Sequence, residues 1–340
     1  VETFNQDFYD RIWGTVHRHE YCQHLAQSLI QKYGKCRILD IGTGCGFLVS
    51  ELRRLGCDAW GLEISDYAIQ NSCCPDYVRR GDIRDIPFGS RFDVVHSQGV
   101  WGYFPEEDIQ TAIAECRRVG RIQHHNIDYD DADPDHAYLV VKPKAWWDNQ
   151  FYPKILVACP THEVKAYAMQ AWVERARSFT YPNLEFLLVD NSNTPEALAP
   201  WGRSVPLKHI NPPNGVNARI NASMEEIRKH FLAGDFSRWF NMEIDTIPEA
   251  DNAIELMLEW GRDSDWISHA YPSRGGPENE DAQQGIGCSL LSRRMIQEHG
   301  FWGAGDNYGP DGWLWSKVRP ARKFKTMELW GYFKVKHLAA

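Results

Sequence analysis

The sequence is poor in several features, and each absence narrows what the chain can be. It holds no C-x-x-C pair: its nine Cys, an odd number, stand singly apart from Cys73–Cys74. That pattern is neither a disulfide framework nor a zinc site, and it suits reduced thiols in a cytosol. No apolar run approaches the length needed to cross a bilayer, and no signal-peptide pattern opens the chain. A cytoplasmic protein without a membrane span is therefore expected. There is no basic run and the net charge is −9, which weighs against tight binding to a nucleic-acid backbone. Only a modest local basic patch would fit, so nucleic acid is a disfavoured partner rather than a ruled-out one. Internal repeats and low-complexity tracts are lacking too.

What is present is a globular composition, 43% hydrophobic and 24% charged, over 340 residues. That length suffices for two ordinary domains with separate cores. The 14 Trp are first of all core residues, and more mildly they suit surfaces that stack on rings or sugars.

The first half is organised around Arg37–Phe47, R-I-L-D-I-G-T-G-C-G-F. A short apolar strand runs into a loop with Gly42, Gly44 and Gly46 and then into a helical pattern. Glycines let the backbone approach a ligand closely, and the helix start offers free N–H groups. Glu63 closes the next strand, where an acid can accept hydrogen bonds from ribose hydroxyls. Strand and helix patterns then alternate: strands at 58–63, 77–81 and 92–96, helices near 66–72 and 106–119. Two closing strands, 121–127 and 137–142, are expected, with a linker at 148–153.

On the glycine loop, Glu63 and Gly81-Asp82-Ile83, this half resembles the class I S-adenosylmethionine-dependent methyltransferases. The resemblance implies that Asp40, Gly42, Thr43, Gly44, Gly46, Glu63 and Ser97 contact S-adenosylmethionine. It implies further that Asp82 meets the adenine amino group while Ile83 packs on the ring. His125, Asp128 and Asp130 are candidate bases for an acceptor hydroxyl; a solvated acidic loop with a turn at Pro134 is at least as good a reading of each one singly.

From Lys154 a second strand-rich region begins, with K-I-L-V-A-C-P-T-H and then L-E-F-L-L-V-D-N-S-N-T ending its strand at Asp190. Helices are expected at 164–178 and 216–232. A strand runs into Glu243-Ile244-Asp245, followed by Pro248 and a helix over 249–260. This half resembles the GT-A glycosyltransferases of the family 2-like inverting group. The stretch Gly215–Ala222 approximates that group's G-x-x-x-A-R-N-x-G pattern, with Ile220 between Arg219 and Asn221.

The resemblance implies that Pro160, Thr161, Asp190, Arg219 and Asn221 bind a nucleotide-sugar donor. It implies that Glu243, Asp245 and the late His337 hold Mg²⁺ or Mn²⁺ on the diphosphate. Asp311 is the expected base on the acceptor hydroxyl, with Asp306 in reserve; a helix N-cap is the bland alternative for Asp311.

The expected architecture is α/β throughout: a Rossmann-like methyltransferase domain over 1–150, then a GT-A glycosyltransferase domain over 151–340. The expected activity is bifunctional, methyl transfer joined to glycosyl transfer onto a glycan or another hydroxyl acceptor. Decoration of nucleic-acid bases, as in phage, and a half that binds ligand without chemistry are the alternatives.

Overall fold

A computed structural model describes residues 4–12, 18–89, 91–129, 138–211, 214–261, 264–270, 285–299, 310, 323–329 and 333–338. The chain divides into two units, Val1–Phe151 and Tyr152–Ala340.

The first unit opens with α1 (Gln6–Ile12) and α2 (Arg18–Tyr33); α2 turns Cys22, Ala26 and Leu29 inward at helical spacing. Then come β1 (Arg37–Ile41), α3 (Phe47–Arg54), β2 (Asp58–Glu63), α4 (Asp66–Gln70) and β3 (Val78–Arg80). After these follow β4 (Phe92–Gln98), α5 (Ile109–Val119), β5 (Gly120–Asn126) and α6 (Lys144–Phe151). The five strands lie in the order β3-β2-β1-β4-β5, and every pairing is parallel. In β1, Ile38 packs into the cluster on α2 and α3, while Leu39 and Ile41 join the cluster with α5 and Trp147. A strand covered on both faces carries apolar residues on successive positions, as Ile38 and Leu39 do here. The chain leaves β1 for β2 on one side and reaches β4 on the other, so a crevice opens at their carboxyl ends.

Two expectations need correction here. Residues 138–143 form no strand: Leu139 and Val140 both donate their amides to the Gly102 carbonyl, at 2.7 and 3.1 Å. The supposed linker begins inside α6, which buries Trp147.

The second unit contains β6 (Ile155–Thr161), α7 (Met169–Ser178), β7 (Leu184–Asp190), β8 (Leu207–His209), α8 (Val216–Ala233) and β9 (Arg238–Met242). It continues with β10 (Thr246–Pro248), α9 (Ala253–Gly261), β11 (Trp266–His269), β12 (Cys288–Ser292), α10 (Arg293–Glu298), β13 (Thr326–Leu329) and β14 (Val335–His337). Seven strands form a mixed sheet in the order β13-β11-β12-β9-β6-β7-β8, and β10 pairs separately with β14, antiparallel. Alternation along β6 sends Ile155, Val157 and Cys159 to one core and Leu156 and Ala158 to the other. Again β6 stands between strands reached by separate crossovers, β7 and β9, both parallel to it.

Candidate functional site

In the first unit the crevice is a cavity of about 490 Å³, within the usual range for a small-molecule site. The loop from β1 to α3 forms its floor. Gly42 has φ 66°, and a Cβ there would meet Val100 Cγ2 at 2.6 Å, so neither the backbone nor the space admits a side chain without strain. Gly46, at φ 80°, serves differently. It caps α3 and its carbonyl accepts from Cys74 Sγ at 3.2 Å, while its neighbours Cys45 and Phe47 line the cavity.

Glu63 is buried at the end of β2 and ties the loop together. Its Oε2 accepts from the Gly44 amide at 2.7 Å, and Oε1 accepts from Ile64 and Ser65 at 2.8 and 2.9 Å. Burial pushes its carboxyl up even so, against the three amide bonds that favour the anion. Tyr9 of α1 lines the same cavity, and burial and the nearby Glu63 charge raise its phenol.

Asp40 is held from behind by His96, its strand-register partner on β4, with Nδ1 2.8 Å from Oδ1. A carboxylate only accepts, so that nitrogen carries the proton. Asp82 is gripped by Arg84 at 2.6–2.9 Å, and this hydrogen-bonded guanidinium holds its carboxyl below the usual range. Arg84 also reaches Asp108. Ile83 and Thr43 also line the cavity. Among the described lining residues, four carboxylates (Asp40, Glu63, Asp82 and Asp128) face one guanidinium, Arg84, so the site favours a cationic ligand.

Ser97 and His125 do not belong to this lining. Ser97 is buried, its Oγ lies 2.8 Å from His125 Nδ1, and it accepts from Trp101 Nε1 at 2.9 Å. His125 also meets Gln123 and packs on Phe151 and Trp101. Burial drives its imidazole well below the usual range, which unsuits it as an acceptor base. Asp128 does line the cavity and accepts from Tyr138 Oη at 2.6 Å. Asp130 lies outside the described residues.

The second unit gathers its polar residues at the same end of its sheet. Asp190 closes β7 fully buried: Oδ1 accepts from the Ser192 amide and hydroxyl, and Oδ2 lies 3.0 Å from His209 Nδ1. It therefore shapes the following loop from within. Pro160 and Thr161 pair in register with Val189 and Asp190, and the Thr161 hydroxyl turns to Met169 Sδ. That loop presents Asn193, whose Oδ1 accepts from Arg219 Nη1 at 2.8 Å; Nη1 is also 3.5 Å from His162 Nε2. Asn221 sits buried in the first turns of α8, which opens at Gly215.

Asp245 is fully buried after β9. The β10–β14 ladder pairs Thr246 with His337 and so brings His337 Nε2 to 3.6 Å from Asp245 Oδ2. That oxygen, however, accepts from the ammonium of Lys165 and from Tyr167 Oη at 3.2 Å. Among the described residues no group of three or more His, Cys, Asp or Glu is placed to hold a metal. Of the expected set Glu243, Asp245 and His337, the central carboxylate does not fit a divalent ion at Oδ2, because a lysine already neutralises it there. Asp306 and Asp311 lie outside the described residues.

Sequence reasoning missed Arg84, His96, Lys165 and His209. An Arg two residues after Asp82 was the one local signal; the other three meet their acids only through the sheets.

Residues 39–123 match the family model described as a methyltransferase domain. No curated protein matches the chain. Among solved structures it is similar to the PH0226 protein of Pyrococcus horikoshii OT3, at 21% identity and TM-score 0.30, over 33% of this chain and 59% of that one. It is similar to magnesium protoporphyrin IX methyltransferase of Synechocystis PCC 6803 with bound SAH, at 18% identity and TM-score 0.30, over 35% and 65%. It is also similar to the mannosyltransferase PcManGT of Pyrobaculum calidifontis in complex with GDP-Man and Mn²⁺, at 14% identity and TM-score 0.39, over 52% and 55%. The chain spans less than two thirds of each of these proteins. The first unit carries a methyltransferase domain, residues 39–123.

Proposed function

We propose that the chain is a bifunctional transferase, with S-adenosylmethionine-dependent O-methyl transfer in the first unit and glycosyl transfer from a nucleotide sugar in the second. The observation that carries the first activity is the Gly44 amide bound to Glu63 in the loop beneath an acid-lined cavity. The loop amides and Glu63 would hold the amino acid and ribose parts, Asp82 and Ile83 the adenine. Bound there, S-adenosylmethionine would supply an electrophilic methyl on a sulfonium, a cation that four carboxylates suit. Asp128, with Tyr138 on it, is the base on the acceptor side in place of His125.

The second activity rests on the nucleotide-binding topology of β6, β7 and β9 and on Arg219 at the start of α8. Arg219 would face the donor diphosphate, and Asp311 would take the acceptor proton. The products of the two units would act on one glycan, since joining two sites raises the local concentration of one product at the other.

Calorimetry with S-adenosylhomocysteine on Glu63→Gln tests the first reading. A loss of about 1–3 kcal/mol is expected from removing a charged acceptor; unchanged affinity would refute the ribose role. Single-turnover transfer by Asp311→Asn tests the second. A fall of about 10²–10⁴-fold with unaltered donor binding is expected, whereas full transfer would leave Asp311 as a helix cap.

A further inference from the structure

We infer that the second unit holds the diphosphate of its donor without a divalent metal, Lys165 supplying the positive charge beside Asp245. The inference rests on reading that unit as a nucleotide-sugar transferase. A fully buried carboxylate needs a compensating charge, and at Asp245 the ammonium of Lys165 provides it. Tyr167 and His337 close on the same oxygen. The Asp245 carbonyl accepts from the Leu338 amide at 2.7 Å, which fixes the loop. A divalent ion sits about 2.0–2.6 Å from its carboxylate oxygens. At Oδ2 it would have to expel the ammonium or share the oxygen against its repulsion.

Lys165 is also placed to do more than neutralise Asp245. Its side chain keeps 26% of its surface exposed, and an ammonium has three donors, of which Asp245 takes one. It lies in the 3-10 turn Glu163–Ala168 that follows β6 directly, and its amide donates to the His162 carbonyl at 2.8 Å. The His162 ring touches Arg219, so the lysine turn and the first turn of α8 meet at one residue. A diphosphate at the carboxyl end of β6 would therefore find an ammonium, a guanidinium and the N-terminal end of a long helix dipole. In transfer the sugar C1–O bond breaks with its electron pair going to the nucleoside diphosphate. The acceptor oxygen bonds to C1, and its proton passes to the base. Lys165 and Arg219 meet the charge that builds on the leaving oxygens.

The test is calorimetric titration of the full chain with UDP and with GDP, once in EDTA and once with Mn²⁺. Equal affinity in both media is expected for whichever nucleotide binds, as is a loss of about tenfold or more in both for Lys165→Met. Lys165→Met/Asp245→Asn removes charge and counter-charge together and guards against a variant that merely misfolds; it too should bind weakly. Binding seen only with Mn²⁺, or undiminished in a folded Lys165 variant, would overturn the inference while sparing the transferase reading. Binding of neither nucleotide in either medium would sink the transferase reading and this inference with it.

Discussion

The two units place their polar residues alike and partner them differently. Both use the carboxyl ends of parallel strands on either side of a central strand, β1 in one and β6 in the other. In the first unit the acids line a cavity, and Glu63 also accepts from three backbone amides. In the second, Asp190 and Asp245 are sealed inside, each against a basic side chain, and Arg219 stands nearby. One topology thus yields acids that line a cavity and acids sealed against basic side chains. The difference lies in which side chains are aimed outward from the strand ends, and the fold leaves that choice free.

The largest effect that would test this separation comes from the two cores. Trp101 and Trp172 are both fully buried, the first donating to Ser97 Oγ and the second to the Met242 carbonyl. Replacing either with Ala should cost about 3–5 kcal/mol. Calorimetric scans should show each variant lowering one melting transition and leaving the other in place. A single transition that moves with both would mean that the units share a core.

A smaller effect is expected at Gly42. Gly42→Ala forces an L side chain to φ 66° and toward Val100, costing about 1–2 kcal/mol from the backbone alone. S-adenosylhomocysteine titration should show a loss of that order or more, with UDP or GDP binding unaltered. Equal losses at both sites would contradict their independence.

The smallest expected difference is in acid sensitivity. Burial, with His96 and Lys32 adding to it, pushes His124 down to about 4, and burial holds His125 well below its ordinary range. Both imidazoles take up protons more readily in the unfolded chain. Their contribution is therefore whole above about pH 6.5 and is lost as pH falls toward 4. In the second unit His269 shifts the same way, opposed in part by its bond to the Ala270 carbonyl. Melting temperatures at pH 7 and pH 5 should fall more for the first unit; an equal or reversed fall would remove the histidine explanation.

Much of this was legible in the sequence, for identifiable reasons. The runs R-I-L-D-I and I-L-V-A-C-P-T are mainly apolar because both faces of their strands are covered, and a glycine loop or acid follows at the ligand end. The segment at 137–142 misled because Leu139, Val140 and Val141 alternate in exposure as a strand would, yet the Leu139 and Val140 amides go to one carbonyl and not to a neighbouring strand. Helix α6 was hidden in an aromatic stretch with little periodicity. Lys165 could not have been read at all. It sits in a turn, where no pattern marks it, and its partner Asp245 is distant in sequence and near only through the sheet.

The pairing of β10 with β14 has a consequence for how the molecule is made. All five strands of the first sheet have been synthesised by Asn126, and neighbours in that sheet are mostly neighbours in sequence. Thr246 must wait for His337, and the Asp245 carbonyl for Leu338. At ordinary synthesis rates that last strand emerges roughly 10–40 s after the first sheet is complete. The first unit can fold on the ribosome in that time, while in the second the carboxylate loop and the open edge of β10 wait unclosed, the interval in which a nascent chain most needs a chaperone.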